Sequence, residues 1–397
     1  MSSAPKFHAF VITAPGLESL AAAELHALGA SDARTVEGGV AFTASRRSLY
    51  SANLHLRTAS RVVVRAGEFD ANAFHELERR AGKVPWEAFV SPNLGVSLRV
   101  TCRKSRLYHS DAVAERVALA IAARVRGARV VDDGGDDAEL PNQLVIVRLF
   151  HDRCTVSVDS SGALLHRRGY RQAVAKAPLR ETLAAAALIA SGWRGDAPLI
   201  DPMCGSGTIP IEGALIARRI APGLRRSFGF EQWPDFDRET WTSLVDQASS
   251  AILPNAIATI RGSDRDSGAI DASRANAARA GVESDVDFSV RPISGIDLMV
   301  EPGWLVSNPP YGVRVGESDR LRNLYAQLGN VARAKCPGGN VTLVSADPGL
   351  ERQLGLRLRP VLRTSNGGIK VRVVAGTVTA APSLKVGSGR SARRYPS

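Results

Sequence analysis

Long apolar runs are missing from this sequence of 397 residues. No window approaches the roughly 18–20 uninterrupted apolar residues that a membrane-spanning helix needs. The chain opens on Met1-Ser2-Ser3-Ala4-Pro5 and passes into an alternating stretch, with no long apolar region typical of a secretory signal. We therefore expect a cytoplasmic protein with no membrane partner.

Cysteine is also scarce, and the few histidines form no metal-binding pattern. The four cysteines never form a C-x-x-C pair, which argues against a disulfide scaffold or a zinc ribbon and fits a reducing cytoplasm. The seven histidines show no H-E-x-x-H spacing. The sequence predicts no metal site.

Acidic residues are outnumbered by basic ones, 39 against 51, which gives a net charge of +12. Such a balance favours polyanionic partners, nucleic acid first. The excess is concentrated between residues 161 and 226, where ten basic residues stand against four acidic ones. We expect a surface that follows RNA phosphates in this part of the chain.

The apolar pattern divides the chain into three units and a tail. Residues 1–65 and 66–163 each alternate short strands with helices, which predicts two α+β units. From 164 to 380, apolar runs such as Trp304-Leu305-Val306 alternate with helical stretches, as in a mostly parallel sheet covered on both faces. Residues 381–397 are rich in Ser, Gly and Arg and contain no acid, which predicts a basic disordered tail.

Individual elements of the first two units are predicted from local periodicity. An acidic stretch inside the second unit, residues 132–137, is expected to be a polar loop that does not touch phosphate. Strands are predicted at 7–12, 39–43, 96–102, 143–150 and 153–159, and helices at 17–28, 45–54, 73–81 and 110–126.

A glycine motif follows the predicted strand at 198–200. Asp201 ends that strand, and Gly205 and Gly207 precede a helical stretch. Because glycine has no Cβ, a ligand can lie against the main chain here, and the helix N-terminus offers free N–H groups. The motif predicts a site for a nucleotide-like ligand.

Three ligands compete for this motif. An NTPase P-loop needs Lys before its Ser or Thr, but Thr208 directly follows Gly207, so this ligand is excluded. A dinucleotide fingerprint needs a third glycine where Pro210 stands. S-adenosylmethionine remains, because it needs one close backbone approach and no pyrophosphate cradle.

An acid at the end of the next predicted strand could accept both ribose hydroxyls of this ligand. Asp264 and Asp266 both qualify by position, and we favour Asp264. In a dinucleotide site this acid lies about 20 residues on, whereas Asp264 is 63 residues beyond Asp201. An insertion at about 218–255 must account for the difference.

The run Asn308-Pro309-Pro310-Tyr311 after an apolar strand is the most informative stretch. The prolines fix φ and remove donors, so the turn presents only acceptors beside an aromatic ring. This suits methylation of an exocyclic amine conjugated to a ring: the Asn308 side-chain oxygen and the Pro309 carbonyl accept its two hydrogens, and Tyr311 stacks on the base. These three residues are the predicted catalytic residues.

With these motifs in hand, the chain resembles the N2-guanine RNA methyltransferases that carry a THUMP domain before a class I methyltransferase domain. The resemblance implies an α/β fold, with a ferredoxin-like domain at 1–65, a THUMP domain at 66–163 and a Rossmann-like methyltransferase domain with a mostly parallel seven-stranded sheet at 164–380. It extends from Phe7 to about Val374 and rests on segments 13–18, 104–110, 166–171, 177–184, 201–212, 308–311 and 366–368.

The resemblance also implies roles for individual residues. Asp297 is the candidate for the cofactor's adenine amine, displaced from Ser294-Gly295 where relatives often place the acid. Val313 stands where relatives often have Glu, so the base pocket is expected to differ. The other cofactor contacts implied are Asp201, Gly205, Gly207 and Asp264, and the expected RNA contacts are Lys104, Arg106, Arg167, Arg168 and Arg171.

Several functions remain open from the sequence. The favoured one is transfer of a methyl group from S-adenosylmethionine to the exocyclic N2 of a guanosine in 23S rRNA by a monomer. A guanine in tRNA is an alternative, because THUMP domains are also associated with tRNA acceptor ends. A protein glutamine N5 or a DNA adenine N6 would use the same Asn-Pro-Pro-Tyr turn. A non-catalytic RNA-binding assembly factor that retains the fold is the last candidate.

Overall fold

The computed structural model describes residues 6–131, 142–172, 179–299, 301–311 and 318–378. The acidic stretch at 132–137, Val313 and the tail at 381–397 lie outside these ranges. The elements of the first half are β1 Phe7–Thr13, α1 Glu18–Ala27, β2 Arg34–Val36, β3 Gly39–Ala44, α2 Arg46–His55, β4 Ala59–Asp70, α3 Phe74–Ala81, β5 Gly95–Arg103, α4 Ser110–Arg124, β6 Arg129–Val131, β7 Gln143–Phe150 and β8 Arg153–Asp159.

The second half alternates strands with helices. Its elements are α5 Glu181–Ala190, β9 Leu199–Asp201, α6 Thr208–Ala217, α7 Arg238–Ser250, β10 Ile260–Asp264, α8 Ser267–Ala280, β11 Val286–Val290, β12 Trp304–Ser307, α9 Ser318–Lys335, β13 Asn340–Ser345, α10 Pro348–Gln353, β14 Arg359–Asn366 and β15 Ile369–Thr377.

The first eight strands form one continuous sheet in the order β2-β3-β1-β4-β8-β7-β5-β6. β4 pairs antiparallel with β1 on one side and with β8 on the other. Because β4 runs from Ala59 to Asp70, the boundary expected at residue 65 falls inside a strand. The two N-terminal units therefore share a backbone hydrogen-bond network.

Strands with a clear apolar pattern are where the sequence predicts them, including 143–150 and 153–159. β4 escaped prediction because Val62, Val63 and Val64 are all buried in the middle of the sheet, which removes the alternation expected of a half-buried strand. β2 and β6 are edge strands of three residues each, too short to show a period.

The second sheet has seven strands in the order β11-β10-β9-β12-β13-β15-β14. β11, β10, β9, β12 and β13 pair in parallel, whereas β15 is antiparallel to both of its neighbours. This confirms the mostly parallel seven-stranded sheet. The carboxyl ends of β10, β9 and β12 lie side by side, which is the edge where open α/β sheets bind ligands.

The insertion at 218–255 packs back onto the N-terminal sheet. The ring of Phe230 is fully buried and stacks on Tyr50 with centroids 4.1 Å apart. The indole Nε1 of Trp233 donates to Gln143 Oε1 at 2.8 Å. This segment therefore connects helix α6, which follows the glycine motif, to both N-terminal units.

Buried arginines reinforce the same junction. Arg226 donates to the carbonyl oxygens of Ser161, Ala163, Leu164 and Arg167. Its burial lowers the pKa of the guanidinium to about 10. The charge is accommodated by oriented carbonyl dipoles, so Arg226, which is partly buried, supports the junction.

We expect Phe230→Ala to lower the free energy of unfolding by about 3–5 kcal/mol, because it empties a fully buried aromatic position. Ile257→Ala is the matched control, since that side chain is 75% exposed. Denaturant titration followed by circular dichroism measures both variants. A midpoint for Phe230→Ala equal to that of the control would contradict the packing described here.

Candidate active site

The acid at the end of β9 is hydrogen-bonded to the strand that precedes the Asn-Pro-Pro-Tyr run. Asp201 is 2% exposed, and its Oδ1 accepts from the Met203 N–H at 3.1 Å and from the Ser307 hydroxyl at 2.6 Å. Ser307 is the last residue of β12 and immediately precedes Asn308. The two motifs, about 100 residues apart in sequence, are therefore joined by one buried hydrogen bond.

The two glycines of the motif serve different purposes. Both have positive φ, +54° at Gly205 and +83° at Gly207. A Cβ at Gly207 would come within 3.0 Å of Phe288 and Ser273, whereas a Cβ at Gly205 would meet no atom within 4 Å. Packing against the protein requires glycine at 207, and Gly205 leaves open space over the loop, as a ligand lying against the main chain needs.

The acid at the end of β10 lies against this loop. Asp264 Oδ2 accepts from the Gly205 N–H at 3.0 Å. Asp266 instead caps α8, accepting from the Gly268 N–H at 2.8 Å. Of the two acids weighed from sequence, Asp264 is thus the one beside the glycine loop, where a carboxylate can reach a ribose.

Two polar residues of α8 that sequence reasoning missed hold the same loop. Ser273 Oγ donates to the Gly205 carbonyl at 2.7 Å, and Asn276 Nδ2 donates to the Ser206 carbonyl at 3.0 Å. Both side chains are fully buried. The sequence signal that could have identified them is a pair of polar residues, three positions apart, on the apolar face of a helix.

Burial raises the pKa of the Asp201 carboxyl to about 7. The hydrogen bonds from Ser307 and Met203 oppose this shift, and the nearby Asp264 carboxyl adds to it. Asp201 is therefore a buried acid that titrates near neutral pH while holding the end of β12.

The side-chain oxygen of Asn308 is buried and accepts no hydrogen bond from the described residues. Buried carbonyl oxygens nearly always have a partner, so an orphaned one marks a place for a donor from outside the chain. Pro309, the next residue, is buried as well. These are the two residues predicted to accept the hydrogens of an amine. They lie close to the glycine loop, because Ser307, just before them, is hydrogen-bonded to Asp201.

Tyr311 is fixed from the C-terminal hairpin. Its hydroxyl accepts from Asn366 Nδ2 at 3.0 Å, and its ring packs on the buried side chains of the second sheet. Asn366 precedes Gly367 and Gly368, which connect β14 to β15 with φ values of +55° and +85°. Two successive positive φ values define a type I′ turn, so the hairpin tip is held rigidly beside Tyr311.

Asp297, the candidate for the adenine amine, forms ion pairs with two arginines, Arg291 and Arg261. Its side chain is 56% exposed and lies 2.8 Å from Arg291 Nη1 and 3.8 Å from Arg261 Nη1. The backbone N–H of Arg291 donates to the backbone carbonyl of Asp264 at 2.9 Å. The role of Asp297 stays a prediction.

Two predicted RNA contacts lie on an exposed loop after β5. Lys104 and Arg106 are both exposed. Tyr108, two residues further on, is 68% exposed, and its ring centroid lies 4.0 Å from that of His109. Exposed cations beside an exposed aromatic pair suit phosphate contact and base stacking.

Arg168 was predicted to bind RNA, and this prediction is wrong. The residue is 3% exposed. Its Nη1 and Nη2 donate to the carbonyls of Leu165 and Arg57 at 2.9 and 2.7 Å. Its Nε lies 3.4 Å from Glu212 Oε1, which also accepts from Tyr170. With all three nitrogens bound inside the protein, Arg168 has none left for phosphate.

Arg171 is also engaged inside the protein, although it is partly exposed, and its contact with RNA stays a prediction. Its side chain is 12% exposed, and Nη2 lies 2.9 Å from the Glu181 carboxylate and donates to the Leu179 carbonyl at 2.6 Å. The charge that suggested RNA contact is thus compensated at the start of α5. Arg167 is half-buried, and its contact with RNA stays a prediction.

Over the ranges described, no helix is both long and apolar enough to cross a bilayer. In the same residues, no three His, Cys, Asp or Glu side chains are close enough to share a metal ion.

Comparison with known families identifies the class. Models of the RlmL ferredoxin-like domain, the THUMP domain and the RMKL-like methyltransferase domain match residues 8–63, 71–159 and 168–374. The chain is therefore a methyltransferase with the class I fold, and S-adenosylmethionine is its cofactor. Specifically, it belongs to the RMKL-like methyltransferase family.

Individual relatives agree with this assignment. A protein of Synechocystis sp. named "Putative RNA methyltransferase slr0064" is 36% identical over 91% of this chain and 94% of its own length. Ribosomal RNA large subunit methyltransferase K/L of Syntrophotalea carbinolica is 38% identical over 92% of this chain and 53% of its own. The chain thus spans about half the length of the K/L relatives.

A solved structure matches over nearly the whole chain. SMU.472, complexed with SAH, is 29% identical, covers 96% of this chain with 99% of its own, and superposes with a TM-score of 0.82.

We expect the cofactor-free protein to lose stability as the pH rises from about 4 to about 7. In this window the folded state retains a proton on Asp201, whose pKa is raised from 3.8 to about 7, while the unfolded chain has lost it. Asp201→Asn keeps an acceptor for Ser307 and Met203 and should make the decrease smaller, while Glu181, whose pKa is also raised to about 7, still contributes to it. Unfolding free energies across this range measure the effect, and identical pH dependence in the two proteins would disprove the buried acid.

Proposed function

We propose that this protein transfers a methyl group from S-adenosylmethionine to the exocyclic N2 of a guanosine in 23S rRNA. The observation that carries the proposal is the buried Asn308 Oδ1, which has no hydrogen-bond partner among the residues that the structure describes and lies one residue from the Ser307–Asp201 hydrogen bond. Support for the RNA comes from the THUMP domain and from relatives named ribosomal RNA large subunit methyltransferase K/L.

The cofactor would be held at the carboxyl ends of β9 and β10. Gly205 lets it approach the main chain, Asp264 accepts from the ribose, and Asp201 and Gly207 keep the loop in shape; Asp297 remains the candidate for the adenine amine. When bound, S-adenosylmethionine supplies an electrophilic methyl carbon on a sulfonium, a good leaving group.

The amine would be prepared by acceptors alone. The nitrogen lone pair of guanine N2 is delocalised into the ring, which makes it a weak nucleophile. Accepting its two hydrogens with Asn308 Oδ1 and the Pro309 carbonyl directs the lone pair out of the ring plane, while Tyr311 stacks on the base. With S-adenosylmethionine bound, the lone pair would form the new N–C bond as the S–C bond breaks, and the nitrogen would then lose a proton to water, so these residues need to supply no general base beforehand.

RNA would reach this turn with the target base out of its stack. Extruding a base costs a few kcal/mol, which contacts elsewhere on the strand must offset. Lys104, Arg106 and Tyr108 on the exposed THUMP loop are suited to this, and the half-buried Arg167 is a further candidate. We propose rRNA over tRNA as the substrate, and a monomer in the cytoplasm as the acting form.

Asn308→Ala is expected to retain affinity for S-adenosylmethionine but to lose at least about a hundredfold in methyl transfer, because the acceptor that orients the amine is removed. Asn323→Ala is the control, since Asn323 is exposed on α9. Calorimetric titration and transfer of labelled methyl groups to rRNA separate binding from chemistry. Normal turnover by Asn308→Ala would reject the assigned role.

The substrate is tested in lysate from cells that lack the protein. We expect labelled methyl groups to disappear on RNase treatment and to survive protease. Mass-spectrometric mapping should then find N2-methylguanosine in 23S rRNA. Label that survives RNase and vanishes with protease would replace RNA by a protein glutamine, and label in tRNA would redirect the proposal to that substrate.

A further inference from the structure

A cavity of about 200 Å³ lies between the N-terminal sheet and the methyltransferase domain, beside Tyr311. Its walls are the loop after β1, the start of α5 and the tip of the β14–β15 hairpin. A second hollow of about 480 Å³ shares Pro15, Thr364 and Ser365 with it, so the two cavities adjoin one another along these residues. Asn366, which bonds the Tyr311 hydroxyl, lines the first cavity.

The polar groups along these joined cavities are suited to an anion. Arg180 and Thr182 line the first cavity at the start of α5, where a helix has N–H groups without helical partners. Arg363 and Lys370 line the second. Both are exposed, and neither has an ion pair within the part of the chain that the structure describes.

Three acids near the two cavities are already engaged, and the first of them, Asp347, caps α10 by accepting from the Gly349 and Leu350 N–H groups. Glu351 forms an ion pair with Arg372, which also lines the second hollow, and Glu181 is paired with Arg171. A further sign of positive potential is His166, whose pKa is lowered to about 3 by burial and then by Arg180 and other nearby arginines.

An orphaned polar group lies at the junction of the two cavities. Thr364 is 8% exposed and lines both of them. Its Oγ1 has no hydrogen-bond partner among the residues described. Other buried hydroxyls of the described residues, such as that of Thr342, also lack a partner, but the Thr364 hydroxyl belongs to a residue that lines both cavities. It could donate to a phosphate oxygen there.

We propose that these joined cavities bind a phosphodiester of the RNA strand next to the nucleotide whose base stacks on Tyr311. The inference rests on the proposed RNA substrate and adds a backbone subsite to it. Phosphate contacts fix the register of a strand without reading its sequence. Holding one here would place the extruded nucleotide at the Asn-Pro-Pro-Tyr turn, because Asn366 belongs to both the cavity wall and the Tyr311 contact.

Arg180→Gln and Lys370→Gln test the subsite, and Arg194→Gln is the matched control. Arg180 precedes α5 and the exposed Arg194 follows it, so the two arginines are separated by about 15 Å of helix. The probe is a single-stranded, guanosine-containing RNA oligonucleotide. We expect the two test variants to bind this RNA several-fold more weakly and to keep their affinity for S-adenosylmethionine. The salt slope, which is the slope of log binding constant against log salt concentration, should be shallower by about 0.7 for each lost phosphate contact.

Two further arms sharpen the result. Arg180→Lys retains the charge and should keep the wild-type salt slope. An oligonucleotide with one neutral methylphosphonate beside the target guanosine should bind wild type as weakly as Arg180→Gln binds normal RNA, with no further loss when the two changes are combined. If both test variants show the binding and slope of Arg194→Gln, the subsite is rejected.

The binding measurement needs no methyl transfer, so its failure is distinguishable from failure of the proposed function. Wild-type protein that methylates 23S rRNA, with test variants indistinguishable from Arg194→Gln in RNA binding, rejects only the subsite. Wild-type protein that leaves every RNA unmethylated rejects the proposed function.

Discussion

One buried hydrogen bond, from the Ser307 hydroxyl to the Asp201 carboxylate, sets the geometry on which the site depends. Asp201 ends β9 and begins the glycine loop, and Ser307 ends the neighbouring central strand, β12, and immediately precedes the Asn-Pro-Pro-Tyr turn. Parallel pairing brings the strand ends together, and the hydrogen bond fixes their relative position at that edge. An uncompensated carboxylate would be costly there, which is why burial raises its pKa to about 7.

Helix α8 and the β14–β15 hairpin support the glycine loop and the Asn-Pro-Pro-Tyr turn. Ser273 and Asn276 of α8 hold the carbonyls of the glycine loop. On the other side, Asn366 at the hairpin tip holds the Tyr311 hydroxyl. Both loops are therefore held by side chains from elements far away in sequence, and their conformation does not depend on local turn preferences alone. Preorganised loops of this kind favour orienting a weak nucleophile, because little reordering is left for the reaction step.

The N-terminal half is joined to this sheet through buried polar contacts as well as apolar ones. Arg168 links Glu212 on α6 to the carbonyl of Arg57, and Arg226 collects four carbonyls from residues 161–167. These arginines belong to the basic stretch that suggested an RNA surface. Counting charges overestimated the number of arginines available to RNA, because a sequence does not reveal which guanidinium groups are hydrogen-bonded to carbonyls and buried carboxylates inside the protein.

Much of the fold and the centre of the site could be predicted from the sequence, since they depend on local chemistry. An acid at a strand end, glycines with positive φ and a donor-free Asn308–Tyr311 turn are properties of short segments, and periodicity located strands such as 143–150. Only the tertiary structure decided that β4 joins two units into one sheet, that Asp264 and not Asp266 lies on the glycine loop, and that Arg168 is internal. Each of these depends on which distant partner a backbone or side chain meets, and hydrogen bonding and burial between remote segments leave no local pattern to read.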